Sequence, residues 1–205
     1  AGVSEFSSPV IATGLASNSE VDSDSQYATG NAMDLYKTKP TFAAVTSRTG
    51  YSLSGTLVPA SSALVAIFDV TANASEDVTF ESSVGGLVVN ISRVQNDTDG
   101  SANTWTLKDQ DGTTLDTASV TDAGTTATFD FATAALTIPA GLTRSFLIYA
   151  DTSEFEDDGD VIQVYLDDGT ATNVDWSINN NAASYYDADK IFRGDIWAGS
   201  FVNPS

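Results

Sequence analysis

The chain has 205 residues, with 28 acidic against 8 basic side chains, a formal charge of −20, no cysteine and no histidine. That length suits one large or two small domains, and the apolar fraction of 41% is enough for a sizeable core. The composition excludes disulfides, thiol and imidazole chemistry and ordinary zinc sites; it disfavours nucleic acid and anionic membranes as partners, and no run of about 18 apolar residues is present to span a bilayer.

Residues 1–39 differ from the rest. They are small, polar and aperiodic, with scattered apolar side chains at Val3, Phe6, Val10, Ile11 and Leu15. Such a segment does not bury enough surface to order itself. It is expected to be an extended N-terminal arm that gains order on another surface, those five residues being its subunit contacts. The chain opens at Ala1-Gly2-Val3 without an initiator methionine, as a secreted product of signal-peptide cleavage would.

From about residue 41 the pattern alternates, and period two is the signature of strands with one buried face. Strands are predicted at Ala63–Thr71 and Asp77–Glu81, then over GGLVVNISRV with Leu87, Val89 and Ile91 inward. NTWTLKD sets Trp105 and Leu107 inward, and Asp111-Gly112 turns it back into a strand at Thr114–Val120, the firmest hairpin in the chain. TATFDF follows with Ala127, Phe129 and Phe131 on one face, then RSFLIYAD with Phe146, Ile148 and Ala150, and VIQVYLD with Ile162, Val164 and Leu166. Val174–Ile178 and Lys190–Trp197 complete the set. Many short strands at roughly 8 to 12 residue spacing, with no amphipathic helix beyond about two turns, predict an all-β antiparallel sandwich over residues 40–205.

Around VIQVYLD the segment SEFEDDGDVIQVYLDDG crowds seven carboxylates. Calcium takes about six to eight hard oxygens. Glu154, Glu156, Asp157, Asp158 and Asp160 supply oxygens and Gly159 a bend, which makes Ca2+ the one cofactor the sequence suggests. The order of an EF-hand loop is missing, and the run reads first as a solvated turn leading into the strand at Val161 and second as a cation site. Glu154 and Asp160 as a glycosidase acid and base is a pairing that any chain this acidic offers by chance. N-x-[ST] sequons stand at Asn73, Asn90 and Asn96, with Asn90 facing opposite Leu87, Val89 and Ile91 on its strand. Arg193-Gly194-Asp195 reads as a structural arginine beside a turn glycine. The aromatics Trp176, Tyr185, Tyr186, Phe192, Trp197 and Phe201 read first as core closure, second as a subunit contact or sugar-stacking surface.

DVTANASEDVTFESSVGGLVVNISRV, followed by LTIPAGLTRSFLIYADTSEFEDDGDVIQVYLDDG, resembles the immunoglobulin-like β-sandwich modules of prokaryotic cell-surface proteins, of the surface-layer or filament-subunit type. The resemblance rests on an IPAG turn at Ile138–Gly141 between strands, a FLIYAD strand and a GD-IQV strand in that order, over residues 60–170. It implies a secreted, non-enzymatic building block, often stabilised by calcium. With an arm of about 39 residues able to reach roughly 130 Å when extended, the expected function is an extracellular structural subunit. It would self-assemble into a filament or surface lattice by strand addition between copies of itself. The alternative is a secreted carbohydrate-binding or adhesive module, with glycans as partners and calcium in its acidic loops.

Overall fold

The computed structural model describes residues 12–13, 20–21, 38–83, 86–95, 102–168, 174–178, 181–188 and 194–204, with residues 12–13, 20–21, 102 and 182–188 described by their backbone. The chain divides into two units, residues 1–36 and 37–205. In the first, β1 (Ala12–Thr13) pairs antiparallel with β2 (Glu20–Val21). Val3, Phe6, Val10, Ile11 and Leu15 lie outside the described residues.

The second unit is all-β, with no helix among its described residues and every strand pair antiparallel. Its strands are β3 (Pro40–Ala44), β4 (Ser47–Arg48), β5 (Tyr51–Ser52), β6 (Ala63–Ala72), β7 (Val78–Phe80), β8 (Leu87–Val94), β9 (Ala102–Asp109), β10 (Thr114–Thr121) and β11 (Thr126–Phe129), followed by β12 (Leu136–Ile138), β13 (Thr143–Ala150), β14 (Val161–Leu166), β15 (Val174–Ile178), β16 (Asn181–Ala188) and β17 (Ile196–Val202). A five-stranded sheet runs β10-β9-β13-β6-β3. An eight-stranded sheet runs β12-β7-β15-β8-β14-β17, with β11 added to β8 and β16 to β15; β4 and β5 form a separate hairpin.

The inward positions read from the sequence are the buried ones: Leu87, Val89, Ile91, Trp105, Leu107, Phe129, Phe146, Ile148, Ile162, Val164 and Leu166 all lie in the core. The two sheets meet across aromatic rings. Phe80 on β7 contacts Phe146 on β13 edge-on at 5.3 Å and Phe131 in a stack at 5.1 Å, while Phe42 on β3 reaches both Phe80 and Phe146. Each such ring contributes roughly 1.5–3 kcal/mol through burial alone. Two turns show why local chemistry fixes the register. The β9–β10 hairpin needs Gly112 at φ 87°, and the Asp109 carboxylate accepts the N–H groups of Asp111 and Thr113 at 2.9 Å. After β11, Phe131 adopts φ 53°, a left-handed conformation that costs a bulky residue about 1–2 kcal/mol, and its buried stack on Phe80 offsets it.

The pattern missed β3, the short β4 and β5, β12 and β16, and placed the last strand too early, since it spans Ile196–Val202 rather than Lys190–Trp197. That shift places Trp197 and Phe201 on one strand at the rim of a sheet.

Candidate functional site

A sheet rim is a row of unpaired peptide groups, and proteins ordinarily guard it with charge, proline, short strands or a covering loop. Most rims here carry such a guard. On β10, the Leu115 carbonyl accepts the N–H groups of Thr133 and Ala134 at 3.1 and 3.0 Å, and the Thr121 carbonyl accepts Gly124 N–H at 2.7 Å. Arg93 donates Nη2 to the carbonyls of Thr121 (2.9 Å) and Gly124 (2.5 Å). Burial lowers the Arg93 pKa below its ordinary value, against the raising pull of Asp122 and Glu154. The Asp116 carboxylate takes Thr117 N–H at 2.8 Å and Asp130 N–H at 2.6 Å. β3 opens with Pro40, β12 has three residues before Pro139, β11 has four before Asp130, and β16 contains Asp187.

β17 is guarded by a covering segment, Ser52–Val58, and by none of the other devices. From Ile196 to Asn203 it carries no charged residue and no proline. Asn203 exchanges backbone hydrogen bonds with Gly159 and Asp160 on the β14 side, at 3.0 and 2.9 Å. By alternation the peptide groups of Val202 and Ser200 point the other way, to the outer side. There the Val202 carbonyl accepts Leu57 N–H at 3.0 Å, beside a parallel bridge to Thr56. Leu53, three residues before Thr56, lies beside Gly199, three residues before Val202, so Ser52–Leu57 runs along this side of β17. Where Ser52–Val58 crosses beside the strand, a cavity of about 210 Å³ opens against Leu57, Val58, Ala63, Leu64, Val65 and Phe201. Val58 is among the most exposed apolar side chains of the unit, at 63%.

The sheet face at β17 is also distinctive. Across β8, β14 and β17 the outward side chains fall in three rows: Val94–Val161–Val202, Ser92–Gln163–Ser200, and Asn90–Tyr165–Trp197. In the last row Tyr165 and Trp197 stack at 4.2 Å and 19°. Trp197 remains 48% exposed, whereas Trp105 and Trp176 are buried. Just beyond that row the carboxylates of Asp167, Asp168 and Asp195 each place an oxygen within 4.8 Å of the others, and Asp195 Oδ1 accepts Asp168 N–H at 3.1 Å.

The acidic loop is held by bonds within the chain. Among Glu154, Glu156, Asp157, Asp158 and Asp160, no three bring carboxylate oxygens together as Asp167, Asp168 and Asp195 do. Glu156, Asp157 and Asp158 are exposed, and Gln95 Nε2 donates to Glu154 Oε2 at 3.3 Å. Asp160 is fully buried and its Oδ2 accepts Asp157 N–H at 3.1 Å, closing the turn at Gly159, which sits at φ 85°. Phe155 plugs the loop at 1% exposure, and Asn203 Nδ2 donates to its carbonyl at 2.9 Å. The loop is therefore a clasp on the end of β17.

Of the three sequons, Asn73 lies exposed in a turn, its Oδ1 accepting Ser75 N–H and Ser75 Oγ–H at 3.0 Å. Asn90 faces away from the core as expected but is 8% exposed, which puts its amide out of reach in the folded domain. Asn96 lies outside the described residues, as do Phe192 and Arg193. Sequence reasoning missed the covering segment Ser52–Val58 and the Phe155–Asn203 clasp.

Comparison with known proteins finds no matching family model, no matching curated protein and no matching solved structure. Geometry and chemistry alone carry the functional reading.

Proposed function

We propose that this protein is a non-catalytic, extracellular structural subunit with an immunoglobulin-like sandwich, which self-assembles into a filament or surface lattice by strand addition between copies. The observation that supports it is β17 itself, an uncharged strand of seven residues at one end of the eight-stranded sheet, whose outer side is covered by the segment Ser52–Val58 and not by a strand of either large sheet. A second copy supplying an extended segment in place of Ser52–Val58 adds a strand to that end of the sheet, and a contact made head to tail does not close on itself. Residues 1–39 are the proposed arm; every strand of both large sheets comes from residues 40–202, so those sheets are built without it. Electron microscopy and light scattering of the full chain test the reading. Polymers are expected, and a truncation lacking residues 1–15 should stay folded and monomeric. A full chain that remains monomeric at every concentration and salt level defeats the proposal.

The Tyr165–Trp197 stack beside three carboxylates favours a second reading, a carbohydrate-binding module, since an open indole face takes the C–H face of a sugar while carboxylates accept its hydroxyls. Quenching of Trp197 fluorescence by acrylamide, with and without a panel of oligosaccharides and Ca2+, separates the two. Protection by a soluble sugar supports this reading, and protection only on self-association counts against it.

A further inference from the structure

Resting on the assembly reading, we propose that the outer face of the eight-stranded sheet over β8, β14 and β17 is a lateral contact between assembled copies, and that its partner is the same face of a second copy. The first support is charge. The three rows of side chains on this face, from the Val94 row through the Gln163 row to the Trp197 row, contain no charged residue. β11 extends the face with Thr126 opposite Asn90 and Thr128 opposite Val88, again without charge. Charged side chains belong on surfaces, and this chain is 18% charged. The outer face of the five-stranded sheet follows that rule: Asp69 pairs with Arg48, and the Lys108 ammonium lies over the Tyr149 ring at 4.9 Å. On the uncharged face carboxylates return at the border, where Asp167 and Asp195 stand beyond the Tyr165–Trp197 stack. Of the five exposed large apolar side chains among the described residues, three, Val94, Trp197 and Val202, stand on this face.

The second support is that the face complements itself. Two copies of formal charge −20 repel through any surface that brings carboxylates together, and this face brings none. A two-fold axis along the Ser92–Gln163–Ser200 row turns the valine row of one copy over the tyrosine–tryptophan row of the other, apolar on apolar in both directions. The middle row then meets its own copy. Hydroxyl and amide groups both donate and accept, so they can pair with their own kind, as carboxylates cannot. The third support is area. Three strands and three rows cover roughly 14 Å by 20 Å, about 300 Å², well under the roughly 800 Å² that each partner gives to a stable interface. Free subunits therefore stay apart on this face, while polymers, which present it on every subunit, add many weak contacts into one strong one. The contact gathers threads laterally; it does not build them.

Gln163 sits at the centre of the middle row and meets itself across the axis, which makes it the test position. The full chain is assembled as parent, Gln163→Glu and Gln163→Lys, and bundling of threads is read by electron microscopy and by low-speed sedimentation. Each variant moves the formal charge by one from −20, so a large effect reports the face and not the net charge. Both variants should form single threads, with the sedimented fraction falling about tenfold because like charges face each other. Mixing preformed Gln163→Glu threads with preformed Gln163→Lys threads should restore bundling, which also shows that both variants fold. Parent threads that never bundle, or variant threads that bundle as the parent does, overturn the lateral contact and spare the assembly reading. Bundling lost in both variants and not restored by mixing overturns the pairing of the face with itself. Absence of threads in the parent overturns the assembly reading and this contact together.

Discussion

Asn203→Ala isolates what holds β17 in place. Asn203 is 8% exposed, and its side-chain amide is the donor to the carbonyl of Phe155, itself 1% exposed. The backbone exchange with Gly159 and Asp160 survives the substitution, so the loss includes the buried bond to Phe155 and leaves that carbonyl without its side-chain donor. An unsatisfied buried group costs about 1–3 kcal/mol. For a domain of this size each kcal/mol moves Tm by about 2–4 °C, so a loss near 2 kcal/mol lowers it by about 4–8 °C. Urea unfolding followed by tryptophan fluorescence gives the free energy, and the same titration is repeated in Ca2+ and in chelator. The expected loss is equal in both, because Asn203 and Asp160 order the loop through protein groups. A loss below about 0.5 kcal/mol, or one that appears only without Ca2+, refutes the clasp and returns the acidic loop to cation binding.

Other consequences follow from single contacts. The Tyr165–Trp197 stack should show a coupling of about 0.5–1.5 kcal/mol in a double-mutant cycle with alanine at each position, measured by urea unfolding; a coupling of zero means the rings merely lie side by side. Asn90 buries an Oδ1 without a hydrogen-bond partner, so Asn90→Val should be neutral or stabilising by about 1 kcal/mol; a clear destabilisation shows that the amide does structural work. The Tyr149 phenol has its pKa raised above 10.0, first by burial and then by Tyr51, with the Lys108 ammonium over its ring at 4.9 Å. A raised acid favours the proton in the folded state, so its stabilisation is present below pH 10 and is lost as pH climbs through the folded pKa. Tyr149→Phe should flatten the fall in Tm between pH 9.5 and 11, and an unchanged slope assigns that fall to other groups.

The strands were legible wherever a buried face met a solvated one. Leu87–Ile91, Phe146–Ala150 and Ile162–Leu166 have that alternation, and Asp111-Gly112 names its own turn. β12 was lost inside the IPAG turn because three residues carry too little periodicity. β17 was displaced because Ala198 and Gly199, where the β14–β17 register shifts, interrupt the alternation, while KIFRGDIW imitates one. In the acidic loop composition counts carboxylates, whereas their arrangement is visible only in three dimensions, where Asp160 accepts an N–H inside the turn. Nor does one sequence reveal which rims are bare. β10 is guarded by residues 18 to 28 positions away, through Thr133, Ala134 and Arg93, and its protection emerges only in three dimensions.

Charge sets a last constraint on any assembly through β17. Each copy brings a formal −20, and bringing two together costs Coulomb energy that falls with ionic strength, since the screening length drops from about 10 Å at 0.1 M salt to about 3 Å at 1 M. The charge-free run Ile196–Asn203 confines this cost to the flanks, where Asp195, Asp167 and Asp168 stand closest to the start of the strand. Rising NaCl should therefore lower the critical concentration, by about tenfold between 0.05 and 0.5 M if relief amounts to near 1.4 kcal/mol per contact. The hydrophobic part of the contact changes in the same direction but far less over that range. Asp195→Asn removes one flank charge and should shift the low-salt critical concentration toward the high-salt value, leaving the high-salt value where it was. An assembly whose concentration dependence ignores salt, and ignores Asp195→Asn as well, is made somewhere other than this end of β17.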